Sequence, residues 1–292
     1  MAKARAIVKR RKAVINIRRI TRTMQLIATA QYQKMFNRAT ATHPYTEKIT
    51  QLVSQLSQAG EQVDHPLLAV NEGAHRTALI VLTSNRGLCG GYNSSILRAS
   101  LAHLDQESAC ERAVEIHAVG KKGVSYLKFL KLELASAEKA MPDWPPFARV
   151  EGLAKEMIDA YTARSLDGVY VAYTRFVSAG KQVPTILKLL PIEDTDAGGE
   201  ESASEGVVEY EFSPPAEELL AELLPSYVKV RLYQCFTDAA VSEQIARMVA
   251  MKAATDAAGD MVKTLGQQYN RARQSQITLE LLDIVGGAEA VR

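Results

Sequence analysis

Apolar residues at the two ends of the chain recur at helical spacing, whereas in the middle they run in continuous blocks. Near the end, Val241, Ile245 and Met248 step by 4 and 3, and Ala258, Val262, Leu265, Tyr269 and Ala272 step by 4, 3, 4 and 3. Such a narrow stripe is a coiled-coil seam. After Pro225 the chain has no proline and is rich in Ala, Gln, Arg, Met and Leu, which favour helix. Pro225 suits the first helical position and Gly286-Gly287 the end. One helix between those marks is about 90 Å long, so it needs a partner along its length. Gly259 and Gly266 each cost about 1 kcal/mol relative to Ala, or admit a close neighbour. Glu243 and Arg247 form a supporting i,i+4 pair. The spacing alone fits a long core helix of a bundle equally well.

At the other end Ile17, Ile20, Met24 and Ile27 step by 3, 4 and 3. They predict a second long seam, on a helix from about 3 to 57 that bends or breaks near Pro44. Its charge is lopsided. The first 46 residues hold no Asp or Glu, but carry Lys3, Arg5, Lys9, Arg10, Arg11, Lys12, Arg18, Arg19, Arg22, Lys34 and Arg38. A transit peptide, a nucleic-acid arm and a coiled-coil strand facing an acidic partner all have such a composition. The periodicity continues past 30 residues, which argues against the transit peptide. Composition alone favours an ordinary solvated face over all three.

From Arg76 the pattern changes to alternating strands and helices. Thr77–Thr83 is a continuous apolar run, as in a buried parallel strand. Further strands are expected at 113–119, 132–137, 168–177 and 183–190, the last two joined as a hairpin through Ser178-Ala-Gly180. Helices are expected at about 93–107, from Gly120-Lys-Lys-Gly123 onward, and at 149–164. This is an α/β layer with a mainly parallel sheet. Residues 193–218 carry ten carboxylates and no Lys or Arg, a loop at first, then an edge strand at 207–212. Ser213 and Pro214 suit the start of a further helix. The domains expected are therefore a helix over 1–57, an α/β domain over 76–192, the acidic loop and edge strand over 193–212, and terminal helices over 213–292.

Composition narrows the chemistry. With 47% hydrophobic and 23% charged residues the chain reads as globular, and no apolar run is long enough to span a bilayer. Cys89, Cys110 and Cys235 are scattered and odd in number, which suits a reducing compartment. Gly87-Leu-Cys-Gly-Gly91 sits between a strand and a helix, where a phosphate loop belongs, but lacks the Gly-Lys-Ser/Thr ending. A tight structural turn is the preferred reading. Gly120-Lys-Lys-Gly123 is a helix start by the same reasoning. His43, His65, His75, His103 and His117 form no metal-ligand spacing, and no nucleophile elbow occurs. No catalytic, metal or cofactor-binding residue is identified, so a mechanical or binding role is expected.

Several segments together resemble one family. Ile20-Thr-Arg-Thr-Met24-Gln-Leu-Ile-Ala28, Ser84-Asn-Arg-Gly-Leu-Cys-Gly-Gly91, Gln182-Val-Pro-Thr185, Ser242–Asp256, Ala272–Glu280 and Ile284–Glu289 are similar, in order, to motifs of the gamma subunit of F-type ATP synthases. Thr23, Gln276 and Leu279 depart from the family's commoner residues, and the acidic loop at 193–205 is not diagnostic.

The resemblance implies a non-catalytic rotor. Its two terminal helices form an antiparallel coiled coil inside the alpha/beta hexamer, and a Rossmann-like α/β domain meets the epsilon subunit and the c-subunit ring. It further implies hexamer contacts at Arg273, Gln274, Thr278, Glu280 and Met24, with Met24 beside the last turns of the terminal helix. Arg273, Gln274 and Thr278 share one broad helix face, from which Glu280 points away. Arg10, Arg18, Arg19 and Arg22 are expected on a basic face toward an acidic loop of the beta subunits. The chain starts on the family's first helix and lacks the chloroplast cysteine pair, which favours a peripheral protein on the cytoplasmic face of a bacterial inner membrane. The alternatives are a basic coiled-coil nucleic-acid-binding protein and a nucleotide-binding α/β enzyme.

Overall fold

A computed structural model describes residues 2–59, 65–71, 73–139, 141–192 and 216–290. The chain divides into two compact units, residues 1–30 with 247–292 and residues 31–246.

The larger unit is built on a five-stranded sheet. Its strands are β1 (Arg76–Leu82), β2 (Ala113–Val119), β3 (Ser136–Glu138), β4 (Gly168–Ser178) and β5 (Lys181–Leu190), in the order β3-β2-β1-β4-β5. The β1–β2, β1–β4 and β2–β3 pairs are parallel, and the β4–β5 hairpin is antiparallel. Helices α2 (Tyr92–Ala109), α3 (Lys121–Phe129) and α4 (Phe147–Thr162) connect them. The parallel centre explains the unbroken apolar run of β1, since both of its faces are covered. Ala78, Ile80 and Leu82 pack with Val150, Ala154 and Met157 of α4. Leu79 and Val81 pack the other way, with Ile96 and Leu97 of α2 and Val124 and Leu127 of α3.

The long helices run further than their sequence marks suggest. α1 spans Ala2–Ala59 and passes through Pro44, where a bend or break is expected from sequence. α5 spans Ala216–Ala290, with Pro225 inside it rather than at its start. An interior proline costs about 3 kcal/mol. Around it Leu220, Leu224, Tyr227 and Val228 are all buried in the sheet-facing core. Each such side chain contributes about 1.5–3 kcal/mol on burial, so packing outweighs the local preference. α5 likewise continues through Gly286-Gly287. The third strand is shorter than expected, three residues at 136–138. The acidic loop, the 207–212 strand and the Ser213-Pro214 cap lie outside the described residues.

Candidate functional site

Residues 1–30 of α1 and 247–290 of α5 form the smaller unit, an antiparallel helix pair. Val14, Ala258 and Leu265 are its buried core, flanked by Ile7 and Val262. Farther along, Thr255 donates its hydroxyl to Thr21 Oγ1 at 2.8 Å, or to Met251 O at 2.7 Å. Next to this pair the Arg18 side chain lies over Gly259, where an added Cβ would stand 3.7 Å from Nε. Small residues at these levels let the backbones approach closely.

On α5 the predicted seam is the inward one, with Ala258 and Leu265 buried and Val262, Tyr269 and Ala272 half-buried, and the buried stripe also takes in Met251 and Thr255, which the apolar steps passed over. On α1 it is not. Val14 and Ala28 are buried and Ile7 and Thr21 half-buried, at heptad steps, while Ile17, Ile20 and Ile27 are more than half exposed. At 100° per residue the isoleucine stripe is displaced by roughly 60–100° from the true seam, with half-buried Met24 at the border. The isoleucines were mistaken for the seam because they are the larger apolar residues. The actual seam uses smaller ones, and its heptad phase through 7, 14, 21 and 28 was the signal available.

Each step up α1 is a step down α5. Met24, three residues past Thr21, therefore lies level with Lys252, three before Thr255. This corrects the placement of Met24 beside the last turns of the terminal helix. In the same register Ala2 is level with Gln274, and no described residue of α1 faces α5 between there and Ala290. On that lone stretch Ile277, Leu279, Leu281, Leu282, Ile284 and Val285 are all exposed and spread over an arc of about 220°, while the remaining side carries Gln276, Glu280 and Asp283. An exposed apolar arc of that width marks a contact surface, wider than the stripe one partner helix covers.

Arg273 and Gln274 are exposed where the pair gives way to the lone helix. Thr278 donates to Gln274 O at 3.0 Å, which leaves its oxygen able to accept. Gln276 Nε2 donates to Glu280 Oε1 at 2.9 Å. Glu280 follows Arg273 by seven residues, two helical turns, and so shares its side of the helix, contrary to the expectation that it points away. Arg10, Arg18, Arg19 and Arg22 are all exposed. Arg18, Arg19 and Arg22 fall within an arc of about 100°, and Arg10 lies roughly 80° outside it. With Lys9, Arg11 and Lys12 also exposed, the cations make a belt around the helix rather than one face. Arg22 also donates to Gln25 at 2.9 Å.

The glycine loops of the larger unit are closed turns. The first amides of α3 are already engaged. Lys122 N donates to Ser84 O at 3.1 Å and Gly123 N to Thr83 Oγ1 at 2.9 Å, with a longer Lys121 N to Asn85 Oδ1 contact of 3.4 Å. Asn93 accepts from Ser84 N at 3.0 Å and donates to Cys89 Sγ at 3.2 Å, which fixes the loop before α2. The cavity at the ends of β1 and β2, lined by Thr83, Asn85, Tyr92, Gly120 and Glu243 among others, has about 40 Å³. That is room for a few waters, far below the several hundred cubic ångströms of a ligand site. Among the described residues no cluster could hold a metal ion and no helix is long and apolar enough to cross a membrane.

The sequence model of the ATP synthase family matches residues 3–291. The ATP synthase gamma chain of Rhodopirellula baltica is 50% identical over 296 residues, covering 100% of this chain and 99% of its own. The chain belongs to the ATP synthase gamma-chain family. Another member, from Leptospira biflexa, is 38% identical over 291 residues with both chains fully covered. Among solved structures, a chain of the Euglena gracilis mitochondrial ATP synthase (OSCP/F1/c-ring, rotational state 3) aligns with a TM-score of 0.61 at 17% identity, over 99% of this chain and 95% of its own. One from the central stalk/c-ring of the Tetrahymena thermophila enzyme aligns at 0.58 and 22%, over 80% and 99%. At those identities the structural likeness speaks for the fold. It is the gamma-chain fold, with terminal helices paired antiparallel and a mixed α/β sheet.

Proposed function

We propose that this chain is the central rotor of a proton-translocating ATP synthase. Its helix pair turns inside an alpha/beta hexamer, and its sheet unit meets an epsilon subunit and a ring of c subunits. Rotation couples ion flow through the ring to ATP synthesis or hydrolysis on the beta subunits, and the chain itself supplies no catalytic group. It is held at the cytoplasmic face of a bacterial inner membrane through the ring. The observation that carries this reading is the lone end of α5, whose large apolar side chains are exposed over an arc of about 220°. A surrounding apolar sleeve suits a shaft that turns, because dispersion contacts have no preferred direction, whereas hydrogen bonds do.

Arg273, Gln274, Thr278 and Glu280 stand just before and within that apolar stretch. They serve as the polar catch against the beta subunits, and Met24 contributes an apolar contact lower down. The basic belt, with Arg10, Arg18, Arg19 and Arg22, faces acidic surface on the hexamer. A hydrogen bond to a charged partner is worth about 1.5–3 kcal/mol. Loss of Arg273 and Gln274 together is therefore expected to slow a step limited by that contact roughly ten- to a hundredfold. The test is a reconstituted complex carrying Arg273→Ala and Gln274→Ala. Assembly stays near normal, because Ala favours helix, while ATP turnover and proton pumping fall. Wild-type rates in a fully assembled complex would make these residues a solvated surface and remove the catch.

A further inference from the structure

Helix α3 carries a surface that its own fold does not use. Gly123, Val124 and Leu127 face inward, and Val124 and Leu127 are completely buried. Turned away from them Tyr126 and Phe129 are exposed, Phe129 at 79%, and Leu130 is partly exposed at the end of the helix. A phenylalanine so far out of the core at the end of an ordered helix gains nothing from folding. Around it stand Lys122, Lys128 and Lys131, all exposed. No acidic residue occurs from Lys121 to Leu132.

We infer that this end of α3 is a contact site for an anionic lipid surface, with Phe129 and Tyr126 entering the headgroup layer and the lysines held at the phosphates. Three features of the patch favour lipid over a protein partner. Its cations are lysines, which are depleted at protein interface cores but snorkel readily at membrane interfaces. Its apolar part is two side chains on a nine-residue helix and one at its C-cap, far short of the roughly 800 Å² per partner of a stable protein interface. Its aromatic rings are of the kind that settle at the headgroup level. The contact is peripheral, since no described helix is long and apolar enough to cross a membrane. It does not depend on the rotor reading, because it concerns the isolated chain as much as an assembled one.

The basic belt of α1 also attracts anionic vesicles, so pelleting alone does not test the idea. A probe at the site itself does. Trp144 is the chain's single tryptophan. In the full-length chain, Phe129→Trp is combined with Trp144→Phe and titrated with phosphatidylglycerol/phosphatidylcholine vesicles and with pure phosphatidylcholine. The expected result is a blue shift and quenching by brominated acyl chains with the anionic vesicles only. Lys128→Gln with Lys131→Gln should weaken that signal roughly 10- to 30-fold, at about fivefold per lysine. Two outcomes overturn the proposal. One is vesicle binding without quenching at position 129, which assigns the affinity to the belt. The other is quenching absent with the anionic vesicles, which removes the lipid contact whether or not position 129 is shielded in the assembled complex; shielding there would assign the patch to a protein partner.

Discussion

Gly120 is the point at which the sheet unit's closed turns can be tested. It joins β2 to α3 with φ at 95°, a conformation that L side chains rarely adopt. A Cβ there would overlap the carbonyl oxygen of Thr83, and that same threonine accepts from Gly123 N and donates to Val119 O at 2.8 Å. Gly120→Ala therefore imposes two costs. The left-handed backbone costs about 1–3 kcal/mol for a residue with a side chain. Moving Thr83 away also strains the buried bonds that close β1 onto α3, and a disrupted buried hydrogen bond costs about 1–3 kcal/mol. The total is about 2–6 kcal/mol. For a unit of this size 1 kcal/mol corresponds to about 2–4 °C, so the expected fall in melting temperature is at least about 4 °C, read from Trp144 fluorescence. Gly180→Ala in the β4–β5 turn is the control. Nothing lies within 4 Å of its would-be Cβ and its φ is unexceptional, so the shift should stay within about 0.5 kcal/mol. Equal shifts for both would refute the assignment of Gly120 as a sterically required glycine.

Cysteines at Thr21 and Thr255 should crosslink rapidly in mild oxidant, whereas a cysteine at 24 paired with one at 284 should not; the reverse pattern would contradict the register set by the Thr21–Thr255 contact. Burial lowers the pKa of His117 from its ordinary 6.5, against the raising influence of Glu156 and Glu115. Its neutral form is favoured in the folded state, so the stability it confers is present above pH 6.5 and is lost as pH falls below that. The contribution is at most about 1.4 kcal/mol per pH unit. His117→Asn should flatten urea-unfolding stability between pH 7 and 5 by that amount relative to wild type, and an unchanged slope would discount this histidine. ATP titrated into the purified chain should produce no saturating heat, because the first amides of α3 already have protein acceptors; a stoichiometric isotherm would overturn the closed-turn reading.

The sheet was legible because each parallel strand is buried on both faces and so reads as an unbroken apolar block, as Thr77–Leu82 does. The α5 seam was legible because its 4-3 steps coincide with burial. The α1 seam was not, and the reason is physical. Periodicity finds apolar stripes but does not say which stripe is buried within the chain. α1 has two of them roughly 60–100° apart, one with Thr21 and Ala28 and one with Ile17, Ile20 and Ile27. Close helix approach selects the smaller side chains, so the bulkier stripe is left for another surface. Helix ends misled for a related reason. Pro225 and Gly286-Gly287 are start and stop signals for a helix whose stability is local, and α5 draws its stability from Leu220, Leu224 and Val228 at one end. At the other end, where the seam no longer has a facing residue, no described residue covers Leu281, Leu282, Ile284 or Val285. Burying four such side chains is worth about 6–12 kcal/mol, comparable to the whole stability of a small domain. A sequence that leaves this much apolar surface at one tip is specified for an assembly as well as for a fold.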